Sequence, residues 1–197
     1  MLVARITDCE AVLFPEEQAE VSRAVEKRRA EFAAGRSLAR IALTEIGHAP
    51  CAILQADRAP VWPPGIVGSI THNNEYVAVC VINRATYAGI GIDIEMARRV
   101  TDDIETRILT IDEIGDTTVP DARTLRFACK EAVYKAVNPI IGGFFGFQAV
   151  RIDLDALSGS FRGMPMHDGP FAEHVAGGRG VFVEWRGHHL AGFYLAQ

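Results

Sequence analysis

Residues Gly89 to Glu95 read Gly-Ile-Gly-Ile-Asp-Ile-Glu. Successive side chains on a β-strand point to opposite faces. Ile90, Ile92 and Ile94 therefore turn one way, toward a core, and Gly89, Gly91, Asp93 and Glu95 turn the other. Two carboxylates placed side by side repel each other unless a cation lies between them. Hard oxygen donors at this spacing suit a magnesium ion that also holds a phosphate, and the glycines leave room for a bulky group. The same residues also describe a solvated strand end with two ordinary acids.

Lys130, Glu131, Tyr134 and Lys135 form a second group. Glu131 and Lys135 are spaced to share one face of a helix. Alone they are a surface ion pair, worth about 0.3–0.5 kcal/mol. Joined to the acidic strand, Glu131 completes a set of three magnesium-binding carboxylates with Asp93 and Glu95, and Lys130 and Lys135 neutralise phosphate charge. Phosphoryl-type transfer uses that combination. His72 ends the segment Gly68-Ser69-Ile70-Thr71-His72 and reads either as a structural histidine or as a strand-end phosphate donor. Arg28, Arg29, Arg36 and Arg40 read either as a solvated basic helix face or as bidentate phosphate ligands. Arg58, in a stiff apolar loop, is a rim charge or a further anion contact.

The elements that position these residues follow from periodicity and from helix and turn signals. Phe14 to Gly47 reads as helical: Pro15 opens it, Glu16 and Glu17 occupy the first turn, Gly47 closes it, and Gly35 marks the place for a break. Asp57 to Gly65 is a proline-rich loop. Ile66 to His72 and Tyr76 to Ile82 are strands around a turn at Asn73 and Asn74. Thr101 to Thr118 mixes short helix and loop. Pro120 to Val137 is the second clear helix, with Pro139 just beyond its end; Leu125, Ala128, Ala132 and Ala136 give it a small-residue packing face. Gly142 to Gly146 is a flexible loop whose Phe144 and Phe145 serve either as a docking surface or as core. Phe147 to Leu154, Gly180 to Arg186 and His189 to Leu195 are strand-like. Helix, strands, helix, strands is an α+β pattern of two similar halves, 1–87 and 88–197, with a boundary near Tyr87.

The chain has 197 residues, 49% of them hydrophobic, and a net charge of -5, with a pI of about 5.7. That length supports one large or two small cores, and the acidic balance argues against nucleic-acid or membrane-surface binding. Cys9, Cys51, Cys80 and Cys129 are scattered, without zinc or disulfide spacing, and read as reduced cytosolic thiols. Met1 to Glu10 lacks the basic start and apolar run of a signal peptide. No apolar stretch reaches the roughly 18 residues a membrane span needs. An Asp-x-Glu strand with a Glu-x-x-x-Lys helix also fits a magnesium-dependent nuclease, although no aromatic-interleaved basic stripe accompanies it.

Five segments occur in order: Arg28-Arg29-Ala30-Glu31-Phe32 with Arg36, Trp62-Pro63, Gly68-Ser69-Ile70-Thr71-His72, Gly91-Ile92-Asp93-Ile94-Glu95, and Phe127 to Ala136. Together they make the chain resemble the 4′-phosphopantetheinyl transferases of the Sfp and enterobactin-synthetase type. The resemblance implies an α+β fold of two halves related by a pseudo-twofold axis, with coenzyme A between them. It implies transfer of the phosphopantetheine arm to a serine of an acyl or peptidyl carrier protein of siderophore or secondary-metabolite biosynthesis, by a cytoplasmic monomer. By motif position Asp93, Glu95 and Glu131 are the ligands of magnesium (or manganese). Arg28, Arg36, Arg58 and His72 contact coenzyme A, mainly its phosphates; Lys130 and Lys135 contact its diphosphate. Glu131 is then the base for the serine, and Lys135 steadies the leaving group. A non-catalytic coenzyme A-binding module is the alternative within the same resemblance. Ala128, Thr71 and Asn73 replace residues frequent in relatives, but none removes a charged ligand. The family pattern favours Arg28 over Arg29, whereas helical spacing aligns Arg29 with Arg36 and Arg40.

Overall fold

The computed structural model describes residues 1–10 and 12–197. Helix α2 (Glu26–Glu45) buries a stripe that includes Phe32, Gly35, Leu38, Ala39, Ala42 and Leu43, the three- and four-residue spacing of an amphipathic helix. The stripe lies on a three-stranded antiparallel sheet of β1 (Leu2–Arg5), β4 (Ile66–His72) and β5 (Tyr76–Asn83), in the order β1-β5-β4. Leu43, Ile53, Val77 and Val79 are fully buried where helix and sheet meet.

The helix expected from Phe14 to Gly47 is two helices, α1 (Pro15–Glu20) and α2. The break falls between them, not at Gly35, which stays helical against Ile70. Glu17 explains it. Its carboxylate is fully buried, accepts the backbone N–H groups of Phe14 and Ile53 at 2.9 Å each, and pairs with Arg40 at 2.8 Å. On one continuous helix Glu17 and Arg40 would stand about 34 Å apart, so the chain must fold back to pair them.

Helix α4 (Ala122–Ile141) covers a five-stranded antiparallel sheet. Its strands are β6 (Tyr87–Met96), β7 (Val150–Asp155), β8 (Ser160–Pro165), β9 (Arg179–Trp185) and β10 (His188–Ala196), ordered β6-β10-β9-β8-β7. Ala128, Ala132 and Ala136 are the buried small-residue face. They bring the helix backbone so close to β6 that a Cβ at Gly91 would lie 2.0 Å from the Ala132 carbonyl oxygen, and one at Gly89 2.6 Å from that of Ala136. The glycines of the acidic strand therefore make room for a helix, not for a ligand as the sequence suggested. The helix also runs past Pro139, expected outside it. Proline here removes only a backbone bond of the last turn, and the helix ends at Gly142, whose φ of 63° is the left-handed cap that glycine allows.

The proline-rich loop contains a small hairpin of β2 (Gln55–Ala56) and β3 (Ala59–Pro60) around Asp57 and Arg58, both at positive φ. Helices α3 (Asp102–Ile108) and α5 (Ala172–Gly177) complete the elements. The two sheets meet where Ile92, Ile94 and Leu190 pack on Tyr76 and Ala78. At this seam the Ile92 N–H donates to Ser69 Oγ at 3.1 Å. The architecture is α+β, two helix-on-sheet units joined with β4 beside β6.

Candidate active site

The seam brings the chemistry-bearing residues together. Strand alternation aims Asp93 and Glu95 out of one face of β6, α4 supplies Glu131 and Lys135, and β4 supplies Thr71 and His72. Arg28 and Arg36 come from α2, and Arg58 from the β2–β3 turn. All line one cavity of about 370 Å³. It adjoins a larger one of about 830 Å³, walled in part by Trp62, Tyr134, Phe144, Phe145 and Phe147. Arg58, Glu131 and Lys135 line both. A charged compartment thus opens beside a more apolar one.

Asp93 is the centre of the charged compartment and only 3% exposed. Its Oδ1 accepts from Thr71 Oγ1 at 2.7 Å and from Lys135 Nζ at 2.6 Å. The same ammonium donates to Thr71 Oγ1 at 3.1 Å and to the Ile92 carbonyl at 3.2 Å. Asp93 Oδ2 is buried with no hydrogen-bond partner among the described residues. A charged oxygen left so costs more than an ordinary missing hydrogen bond. Burial, then the charge of Asp93, pushes the Glu95 carboxyl up to about 7. Burial also raises that of Glu131, with Lys135 opposing and Asp93 adding to the shift. An orphaned carboxylate oxygen beside two acids that resist ionisation fits a hard divalent cation. Among the described residues no group of three or more acids, histidines or cysteines is placed to hold a metal ion as the side chains stand; Lys135 supplies the positive charge beside Asp93.

These shifts give a pH dependence. Glu95 holds its proton up to about 7 when folded, against an ordinary value of 4.5. Between those values the folded chain binds more protons than the unfolded one, so stability falls as pH rises. Without divalent ions, the Glu95 contribution should lower the thermal midpoint across that window, and Glu95→Gln should flatten the slope. Thermal scans in chelator at several pH values test this; an identical slope in the variant would reject it.

On the phosphate side, Arg28 Nη1 lies 2.9 Å from His72 Nε2. Burial lowers the His72 pKa, Glu31 opposes, and Arg28 and Lys135 add to the lowering. The ring is thus neutral near pH 7, and Nε2 accepts from the guanidinium. Arg28, Glu31, Phe32, Gly35 and Arg36 line the cavity as one helical stripe; Arg29 is exposed outside it. Arg36 is buried, donates Nε to the Ile53 carbonyl at 2.6 Å and stacks 4.1 Å over the Phe32 ring. Burial lowers its pKa to about 10. Arg58 is exposed at the mouth.

Lys130, expected on the coenzyme A diphosphate, turns inward instead. It is 2% exposed and donates to the Ile108 carbonyl at 2.9 Å, Glu113 Oε2 at 2.6 Å and the Phe147 carbonyl at 3.0 Å. An ammonium has three donors; those of Lys130 and Lys135 all have protein partners, but the Lys130 side chain is 1% exposed against 27% for Lys135, so Lys130 is held inside as an anchor of α4 while Lys135 faces the cavity. Thr71 and Ser69, read from the sequence only as neighbours of His72, contact β6 at Asp93 and Ile92; their shared face of β4 was legible from strand alternation. The two phenylalanines separate: Phe145 is core, stacked 4.9 Å from Phe171, and Phe144 is 85% exposed.

Comparison with known proteins agrees with this geometry. Residues 16–82 match the model of the 4′-phosphopantetheinyl transferase N-terminal domain, and residues 89–189 that of the 4′-phosphopantetheinyl transferase superfamily. The chain is 35% identical over 151 residues to 4′-phosphopantetheinyl transferase Npt of Nocardia iowensis, covering 74% of this chain and 68% of that one. It is 36% identical over 177 residues to 4′-phosphopantetheinyl transferase Svp of Streptomyces mobaraensis, covering 86% and 70%. It is 34% identical over 167 residues to enterobactin synthase component D of Salmonella typhi, covering 81% and 67%. With both halves of the cavity inside matched segments, the chain belongs to the 4′-phosphopantetheinyl transferase superfamily.

Proposed function

We propose that this chain transfers the phosphopantetheine arm of coenzyme A to a serine hydroxyl of an acyl or peptidyl carrier protein, releasing adenosine 3′,5′-bisphosphate. Similarity to an enterobactin synthase component favours a carrier of siderophore or related secondary metabolism. The observation that carries the reading is Asp93: a buried carboxylate with one oxygen unpartnered among the described residues, facing a cavity lined by charges of both signs that opens into a more apolar one.

Asp93, Glu95 and Glu131 would hold magnesium, with manganese as a substitute. Bound there, the ion supplies Lewis-acid charge to the diphosphate. The chain's own groups do the rest. Arg28, Arg58 and His72 hold phosphate oxygens, and Arg36 adds positive charge to the cavity wall. Glu131, its proton affinity raised by burial, takes the serine proton. The serine oxygen then bonds to the phosphorus that carries the pantetheine arm, and the bond from that phosphorus to the adenosine bisphosphate oxygen breaks. Lys135 steadies the departing oxygen. The apolar compartment has room for the uncharged arm.

The reading assigns residues 1–87 to the adenine and 3′-phosphate side and 88–197 to the metal side. One chain then holds a whole site and acts as a monomer. Four free thiols suit the cytoplasm, and among the described residues no helix is long and apolar enough to cross a membrane.

Incubation of the protein with labelled coenzyme A, magnesium and a panel of apo carrier proteins should add one phosphopantetheine to at least one carrier. A folded protein that labels none and binds no coenzyme A sinks the reading. In the same assay His72→Ala should raise the KM for coenzyme A about tenfold, the worth of one hydrogen bond to a charged group, and leave kcat nearly intact. An unchanged KM removes His72 from the binding site.

A further inference from the structure

We propose that Thr71 is a positioning residue, whose hydroxyl fixes which oxygen of Asp93 faces the cation. The inference rests on the function proposed above and extends it to a residue outside the charged set. Asp93 Oδ1 is held by two donors, the Thr71 hydroxyl and the Lys135 ammonium, while Oδ2 has none among the described residues. That division aims one oxygen into the protein and leaves the other for a ligand. The two donors are unequal in what the reaction asks of them. Lys135 has all three donors engaged, on Asp93, Thr71 and the Ile92 carbonyl, and must release at least one of these partners to reach the departing phosphate oxygen. Thr71 is buried on strand β4, which Ser69 ties to the Ile92 N–H, so its hydroxyl stays. It is then the side chain that keeps Oδ1 turned inward whichever partner the lysine releases. The hydroxyl has a single proton to donate. It goes to Asp93 at 2.7 Å, and the oxygen accepts from Lys135 at 3.1 Å. In this structure it therefore has no proton to offer a phosphate. A carboxylate without such an outer partner loses orientation, and loss of partners of this kind typically weakens metal binding by about 10–100-fold.

The test is direct Mn²⁺ binding by calorimetry to the folded wild type, Thr71→Val, Thr71→Ser and Asp93→Asn, with coenzyme A KM and kcat measured alongside. Thr71→Val should weaken Mn²⁺ binding about tenfold or more and lower kcat, with little change in KM. Thr71→Ser, which keeps the hydroxyl, should return both to within about twofold of wild type, a rescue that a packing role for the methyl would not give. If Thr71→Val fails to fold, Thr71→Ala against Thr71→Ser makes the same comparison. Wild-type Mn²⁺ affinity in a folded valine or alanine variant overturns the inference and leaves the metal reading standing, provided Asp93→Asn has lost the ion. A rise in coenzyme A KM with unaltered Mn²⁺ affinity also overturns it, by making Thr71 a substrate contact. A wild type that binds no Mn²⁺ overturns the metal reading and this inference together.

Discussion

Asp93→Asn is expected to reduce carrier modification by about a thousandfold or more while the protein stays folded. The substitution keeps the size of the side chain, and an amide oxygen can still accept from Thr71 and Lys135. What disappears is the negative charge on the unpartnered oxygen. Metal-derived stabilisation of transition-state charge is worth several kcal/mol, and about 4 kcal/mol is three decades in rate. Folding should tolerate the change. The partner left behind, Lys135, has a side chain 27% exposed and keeps its bonds to the Ile92 carbonyl and Thr71, so no bare charge is stranded in the core. Initial rates of carrier labelling, beside a circular dichroism melt, decide the matter. Near-normal transfer by a folded variant would reject Asp93 as a metal ligand. An unfolded variant would mean that Asp93 is structural first.

The parts of this site that were legible in the sequence are those whose chemistry is local. Asp93 and Glu95 are related by strand alternation, and Glu131 and Lys135 by one helical turn. Each relation is readable without knowing what lies opposite. Lys130 shows where such reasoning stops. Its neighbour Glu131 is a site residue, yet one position along a helix turns the side chain by about 100°, and its partner Glu113 lies in a polar stretch that reads as mixed short helix and loop. Gly89 and Gly91 show the same limit from the other side: the need for space was legible, but the occupant is the backbone of α4. The Glu17–Arg40 pair that bends the first helical region back is likewise a long-range demand that periodicity does not carry. Strand β8, Ser-Phe-Arg-Gly-Met-Pro, has weak strand propensity of its own. It exists because β7 and β9 flank it, and such context outweighs propensity in sheets.

The largest effect on stability should come from Glu113, a residue outside the cavity. Its side chain is 1% exposed, and its carboxylate joins three elements. Oε2 accepts from Lys130 Nζ at 2.6 Å and the Thr110 N–H at 2.7 Å. Oε1 accepts from the Ile152 N–H at 2.6 Å and lies 3.8 Å from Arg126 Nε. Both cations come from α4, the helix that carries Glu131 and Lys135. Glu113→Ala leaves the ammonium of Lys130 buried with only carbonyl partners and two backbone N–H groups unpaired. Removing one member of a buried ion pair costs about 3–5 kcal/mol. For a chain of this size that lowers the thermal midpoint by roughly 10 °C or more. Lys130 lies next to Glu131, so coenzyme A binding should weaken as the variant nears its lowered midpoint, with the charged cavity itself unmutated. Replacing the pair together, Glu113→Leu with Lys130→Met, should recover part of the loss, because it removes the stranded charge and fills the space. Arg126 retains Asp116 in both variants, so it adds no second stranded cation. A Glu113→Ala protein that melts within about 2 °C of the parent would show that α4 is held by its alanine face against β6 and not by this ionic anchor.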